Sequence, residues 1–246
     1  MLLIFAGAAA EFALNRAVDW LFFTGALPRD PVGRVFRTVR YAQSIAFAGD
    51  EAAHASLERI RRTHAALETA RGQTIPPWAH RAVLYLLVAY SERAHTLLQR
   101  PLTPTEQHEL YSDFRRIGEG LAIAALPASY EHWRPDRARQ LAEDLAWSEQ
   151  TEALYAAYRR QLGPCRYALL RHLQAVLVPS QLRRMLRLPD PPRLATVVGA
   201  YRLLRATPIR PWTLRALIPP RYWADVRQLD VRGWARNPAE VHAPAA

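Results

Sequence analysis

Leu57, Ile60, His64 and Leu67 recur at intervals of three, four and three residues, so a helix would place them on one face. That face is otherwise apolar, which turns His64 towards the interior and leaves Arg61, Arg62 and Glu68 to point elsewhere. A buried imidazole needs a partner for each ring nitrogen. A core histidine bonded to a backbone carbonyl meets that need, and so does a metal or haem ligand; spacing alone leaves both open. Arg34 and Thr38 stand four apart and are helical neighbours, with Tyr41 and Ile45 continuing their line. An inward arginine is costly unless an anion meets it; a surface arginine is the plainer alternative. His80 follows Trp78 at the start of an apolar stretch, where a helix N-terminus disfavours its protonated form. It could stand behind a ligand, line the open side of a cofactor, or simply cap the helix. Cys165, between Pro164 and Arg166, has a setting that permits a reactive thiol but nothing that requires one.

The usual signatures of other chemistries are missing. The chain has no HExxH pair, no G-x-S-x-G elbow, no Walker loop and no G-x-G-x-x-G fingerprint. A single cysteine excludes an intrachain disulfide framework and a multi-cysteine zinc site.

The elements that must position these residues read as helices throughout. Asp30-Pro31 opens one helix, Gly49-Asp50 separates it from a second that runs to about Arg71, and Gly72 with Pro76-Pro77 makes the next break. Residues 78–98 form a long helix whose middle, AVLYLLVAY, is apolar all round and therefore buried. Thr103-Pro104-Thr105-Glu106 is a capping box, and its helix is expected to reach about Ala124. Residues 136–162 form another helix or helix pair. Beyond Gly163-Pro164 come shorter pieces broken at Pro179, Pro189, Pro191, Pro192, Pro208, Pro211, Pro219 and Pro220. Residues 1–30 are expected to be an apolar N-terminal helix packed on or leading into a single all-α domain over 31–230, with 231–246 a frayed tail.

The 246 residues are half apolar and carry a net charge of +11, yet the chain contains no lysine; all 33 basic residues are arginine. The excess is lopsided. Residues 159–236 hold 16 arginines against Asp190, Asp225 and Asp230, while the remainder is close to balanced. A solvated face accounts for this, as does an anionic membrane surface or the carboxylates or phosphates of a ligand. No nucleic-acid-binding signature accompanies the arginines, so nucleic acid is not an expected partner. In LLIFAGAAAEFAL and its continuation, Glu11, Asn15, Arg16 and Asp19 interrupt what would otherwise approach a membrane span. No basic residue precedes Leu2, as a secretory signal would want. Cytoplasmic residence, with peripheral membrane contact through the first helix and the arginine-rich C-terminal third, is the expectation; a cleaved signal is the alternative.

The order of the pieces resembles a known family. Pro31-x2-Arg34-x3-Thr38 is followed by RRTHAALETARG around His64, then by Trp78-Ala79-His80 leading the apolar helix. After these stand RPLTPTEQHELYSDFRRIGEG, LPASYEHW and LVPSQLRRMLRL. The arrangement is similar to the catalytic domain shared by MpaB-type oxygenases and rubber oxygenases (latex-clearing proteins), over about residues 30–190. The resemblance implies an all-α, multi-helix bundle enclosing a haem pocket and one haem b. His64 matches the family's proximal iron ligand, and Arg34 and Thr38 match its Arg-x3-Thr pair beside the haem. His80 would be a further pocket residue. The implied reaction is oxidative cleavage of a carbon–carbon double bond in a hydrophobic, isoprenoid substrate, the cofactor supplying the hard chemistry.

Two departures are visible. Rubber-cleaving members can place a lysine before the threonine to close the open side of the iron; here that residue is Arg37, which cannot readily deprotonate to ligate. The stretch before Trp78-Ala79-His80 is compressed to Gln73–Pro77. Both features make the MpaB-like branch, acting on smaller prenyl chains, the nearer match. A non-catalytic helical module at a membrane surface is the reading of different class.

Overall fold

The computed structural model describes residues 2–23, 25–46, 50–191, 199 and 219–224. Among the described residues ten α-helices form one all-α domain, and there is no strand. In order they are α1 (Leu2–Leu14), α2 (Val18–Phe23), α3 (Ala26–Arg29), α4 (Pro31–Ala46), α5 (Asp50–Arg71), α6 (Pro77–Leu98), α7 (Pro104–Gly120), α8 (Tyr130–Glu143), α9 (Glu149–Leu177) and α10 (Ser180–Met185). A 3-10 turn follows at Pro220–Tyr222. None of the described helices is long and apolar enough to cross a membrane.

The core is built around α1, which lies against α6 and α9. Its sequence explains the closeness. Ala8, Ala10 and Ala13 are buried small residues, and Gly7 meets the ring of Tyr90 so tightly that a Cβ there would stand 2.3 Å from a ring carbon. Leu14, Leu86, Tyr90, Leu154, Leu177 and Leu182 complete the same cluster. Glu11 is fully buried in it. Its carboxylate accepts both arms of the Arg137 guanidinium at 2.6 and 2.5 Å and the Tyr90 hydroxyl at 3.0 Å. Arg137 donates further to the Gln140 amide oxygen. A charge with its lone pairs met in this way can be carried inside a core. The residue that interrupts the apolar first helix is therefore what ties α1 to α6 and α8.

The expected apolar helix appears as α6, with Ala82, Leu84, Tyr85, Leu86, Val88 and Tyr90 all buried and Pro77 in its first turn. The Thr103–Glu106 capping box opens α7. That helix ends at Gly120, not near Ala124, because the chain turns left-handed at Ala122 (φ 56°) and again at Ala125 (φ 56°). The expected helix or helix pair over 136–162 is a pair, with bounds that differ from those expected. Two separately capped helices cover this stretch: Ser129 caps α8, and Ser148 with Thr151 makes a second capping box at the start of α9. The link between them pairs with the end of α1, where Ala146 N–H donates to the Leu14 carbonyl at 2.8 Å and Arg16 N–H to the Asp144 carbonyl at 3.2 Å. Gly163, with non-helical φ and ψ of 73° and 170° that suit only glycine comfortably, divides α9 into two helical segments that meet at a kink, the second begun by Pro164. The tail over 231–246, the breaks at Pro192, Pro208 and Pro211, and half of the arginines in 159–236 lie outside the described residues.

Candidate functional site

Helix α4 carries Arg34 and Thr38, and Asp30 sets its start. One Asp30 oxygen accepts the Gly33 N–H at 3.0 Å and the Tyr222 hydroxyl at 2.5 Å; the other accepts from Arg37 at 3.2 Å. Burial would raise this carboxyl, but the bonds from Tyr222, Gly33 and Arg37 outweigh it and hold it below the usual carboxylate range. The same hydroxyl lies 3.1 Å from the Gln161 amide oxygen on α9, and the Tyr222 ring packs at a tilt on Phe36, so the helix bearing Arg34 is clamped at its first turn. Arg37 is thereby engaged with the Asp30 cap.

Arg34 is different. It is half-buried, and among the described residues no side chain or carbonyl accepts from its guanidinium. Burial, and next the positive charge of Arg37, lower its pKa, with Tyr41 acting weakly the other way. The Thr38 hydroxyl donates back to the Arg34 carbonyl at 3.0 Å, which uses its proton within α4 and leaves its lone pairs to accept.

Helix α5 carries His64, half-buried on the same stripe as buried Leu57 and half-buried Ile60 and Leu67. The start of α6 brings His80 against it, with ring centroids 4.8 Å apart and planes inclined by 49°. The short connection between the helices makes this possible: Leu67, Ile75, Trp78 and Ala79 pack together beneath it. Burial lowers the His64 pKa to about 4, reinforced by His80 and Arg34 and opposed by Glu68. His80 is also lowered, again by burial first, with Glu68 opposing. Both rings are therefore neutral near pH 7, the form in which an imidazole nitrogen can ligate a metal.

The structure thus brings His64 and His80 into contact and places Arg34 within electrostatic reach of His64, with Thr38 one turn further along α4. It also corrects one expectation. Glu68 is not turned away from this group: it is half-buried, accepts the Ile75 N–H at 2.7 Å, and its charge acts on both histidines. Its spacing, one helical turn after His64, was the signal in the sequence that could have found it.

Two surface clefts, of about 430 and 510 Å³, lie elsewhere, on either side of Pro135, lined by His132, Asp136 and Arg139 in one and His108, Tyr130 and Glu131 in the other. Neither contains a predicted site residue. Among the described residues no three or more His, Cys, Asp and Glu side chains gather to hold a metal ion. A haem would ask the protein for a single imidazole rather than such a group.

No curated protein and no solved structure matches the chain. One protein family does: the family described as "ER-bound oxygenase mpaB/B'/Rubber oxygenase, catalytic domain" matches residues 1–208, taking in α1 as well as the helices that carry Arg34, Thr38, His64 and His80. With that match covering most of its length, the chain belongs to the mpaB/rubber oxygenase catalytic-domain family.

Proposed function

We propose that this protein is a haem b-dependent oxygenase that cleaves a carbon–carbon double bond in a hydrophobic, isoprenoid-type substrate. The observation that carries the reading is the meeting of a neutral, half-buried His64 with an Arg34 that has no acceptor among the described residues. These two groups fit the two ends of a haem: an imidazole nitrogen for the iron, and a planar guanidinium for a propionate carboxylate, which it can meet with two parallel bonds. Bound there, haem would supply dioxygen activation.

The chain's own residues have narrower tasks. His64 donates a nitrogen lone pair, and burial beside two other basic groups keeps that lone pair free of a proton. Arg34 balances negative charge and holds orientation. Thr38 offers hydroxyl lone pairs beside it. His80, in contact with His64, restricts the tilt of that ring. The apolar residues around them, Leu57, Leu67 and Trp78 among them, favour an apolar substrate and limit water.

The same proposal includes peripheral contact with an anionic membrane, from which such a substrate could be drawn. Since α1 is enclosed in the core, the half-exposed rings of Phe23 and Trp147 are the better-placed contacts among the described residues. Flotation with anionic liposomes tests this part: salt-sensitive binding supports it, and no binding removes it.

The activity is tested by incubating haem-loaded protein with a prenyl chain under ¹⁸O₂. Carbonyl cleavage products carrying ¹⁸O are expected. Substrate returned intact by a fully haem-loaded protein, across short and long prenyl chains, would overturn the assigned reaction.

A further inference from the structure

Tyr85, Tyr111, Tyr130 and Trp133 are buried together where α6, α7 and α8 meet. Trp133 is the hub: its ring centroid lies 6.2 Å from that of Tyr85, 5.9 Å from Tyr111 and 5.4 Å from Tyr130. Packing alone accounts for the rings, but not for where their polar atoms end. Tyr85 donates its hydroxyl to the Asp136 carboxylate at 2.5 Å, and Tyr130 donates to Glu92 at 3.0 and 3.1 Å. Tyr111 donates instead to the Pro127 carbonyl at 2.7 Å. The Trp133 indole N–H has no partner among the described residues. A phenol gives up an electron readily only where its proton has a base to go to; a carboxylate is such a base and a carbonyl is not. An indole can lend its ring without moving a proton. The cluster also has an inner and an outer end. Leu84, beside Tyr85, and Leu57, on the His64 stripe, both meet the last turn of α7: a Cβ on Gly118 would stand 2.8 Å from Leu84, and one on Gly120 2.6 Å from Leu57. Tyr130 lines the surface cleft of about 510 Å³ together with His108, whose ring centroid is 6.0 Å from its own.

We propose that Tyr85, Trp133 and Tyr130 form a one-electron relay from the interior to this cleft, along which a strong oxidant formed inside is quenched by a small reductant of the enediol or thiol class in solution. The oxidant is the oxidised haem of the reading above, left without substrate, and in that respect the relay rests on that reading. The steps balance. The oxidant takes one electron from Tyr85, whose proton passes to Asp136. An electron then moves from Tyr130 through the Trp133 ring to Tyr85; Tyr85 recovers its proton from Asp136, and Tyr130 gives its own to Glu92. The reductant at the cleft supplies one electron to Tyr130, and Glu92 returns the proton. The reductant ends one electron poorer and the oxidant one electron richer. Tyr111, with no base at its hydroxyl, is off the route.

The test starts from haem-free protein carrying a ruthenium polypyridyl photo-oxidant on Val83→Cys, an exposed position two residues before Tyr85, with Cys165→Ser removing the free thiol. After a flash, transient absorption and electron paramagnetic resonance should find the tyrosyl radical on Tyr130, quenched rapidly by ascorbate. Tyr130→Phe should strand the radical on Tyr85 and slow its quenching, and Trp133→Phe should delay its arrival at Tyr130. Glu92→Gln keeps an acceptor for the Tyr130 hydroxyl but no base, and should abolish the Tyr130 radical with thermal stability close to wild type; a packing role alone would leave the radical in place. Tyr111→Phe should change nothing. A radical unaffected by Tyr130→Phe and Glu92→Gln overturns the relay, and so does an equal loss in Tyr111→Phe. Haem-loaded protein given peroxide without substrate completes the test: Glu92→Gln should lose its haem absorbance faster than wild type, and equal loss overturns the link between relay and haem. A wild type that takes up no haem removes the reading above and leaves the flash experiment to decide the relay.

Discussion

Two arginines drawn out of water meet opposite circumstances. Arg137, 6% exposed, delivers its guanidinium to Glu11, which is itself fully buried and bonded to Tyr90. Arg34, half-buried on α4, has no acceptor among the described residues, although its neighbour Arg37 three residues on is paired with Asp30. The core pairs these charges with each other; where α4, α5 and α6 meet, Arg34 meets no acceptor among the described residues. Where charges are mutually satisfied, they serve the fold. Where they are half-buried and unmet, beside neutral imidazoles, they are suited to something that arrives from outside.

That contrast can be broken at several points. The largest effect is expected at the satisfied end. Glu11→Ala strands the Arg137 charge in the core and should cost about 3–5 kcal/mol of stability, read by urea denaturation of the haem-free protein. The double replacement Glu11→Leu with Arg137→Met should recover most of that loss, since an apolar pair removes both desolvation costs. If the double variant is as unstable as the single one, the pair does more than neutralise itself. Tyr222→Phe removes one hydrogen bond to the Asp30 carboxylate while keeping the ring on Phe36, and should cost about 1.5–3 kcal/mol, the usual range for a bond to a charged group.

The open region should respond weakly in stability and strongly in binding. Arg34→Met is expected to change the stability of the haem-free protein by no more than about 0.5 kcal/mol in the unfavourable direction, the range of substitutions that break no partner, and to weaken haem retention. A large loss of stability would mean Arg34 serves the fold after all. Acid supplies the subtlest test. The folded pKa of His64, at about 4, lies below its ordinary value near 6.5, so the unfolded chain takes up the proton first. Its contribution to stability is therefore present above about pH 6.5, declines as the pH falls, and levels off below about pH 4. In the haem-free protein, His64→Leu should flatten that part of the stability profile; an unchanged profile would place His64 in water.

Much of this was legible in the sequence, for local reasons. Proline and glycine breaks delimit α4, α5 and α6, and the Thr103–Glu106 box names the start of α7, because caps and breakers act within a few residues. Over 136–162 the sequence left one helix or a pair open, because Ser148 and Thr151 sit in a polar stretch where a capping box has no apolar run to mark it. The Glu11–Arg137 pair spans 126 residues, and no periodicity connects its members. In the site, the inward stripe of His64 was readable from helical spacing. Its contact with His80 depends on how tightly residues 72–76 turn the chain, which is a tertiary fact. Glu68 shares a helix face with His64 at the same i,i+4 spacing as Arg34 and Thr38, yet a charge at the edge of an apolar stripe reads as solvated until the Ile75 N–H is seen to hold it.

The central claim is that position 64 holds an iron ligand. Haemin titrated into haem-free wild type and His64→Ala, followed by absorption and completed by pyridine haemochromogen analysis, tests it most directly. The account predicts one b-type haem per chain with a sharp Soret band in the wild type, and its loss or marked shift in His64→Ala. A wild type that stays colourless, or a His64→Ala protein with the wild-type spectrum and stoichiometry, would contradict it.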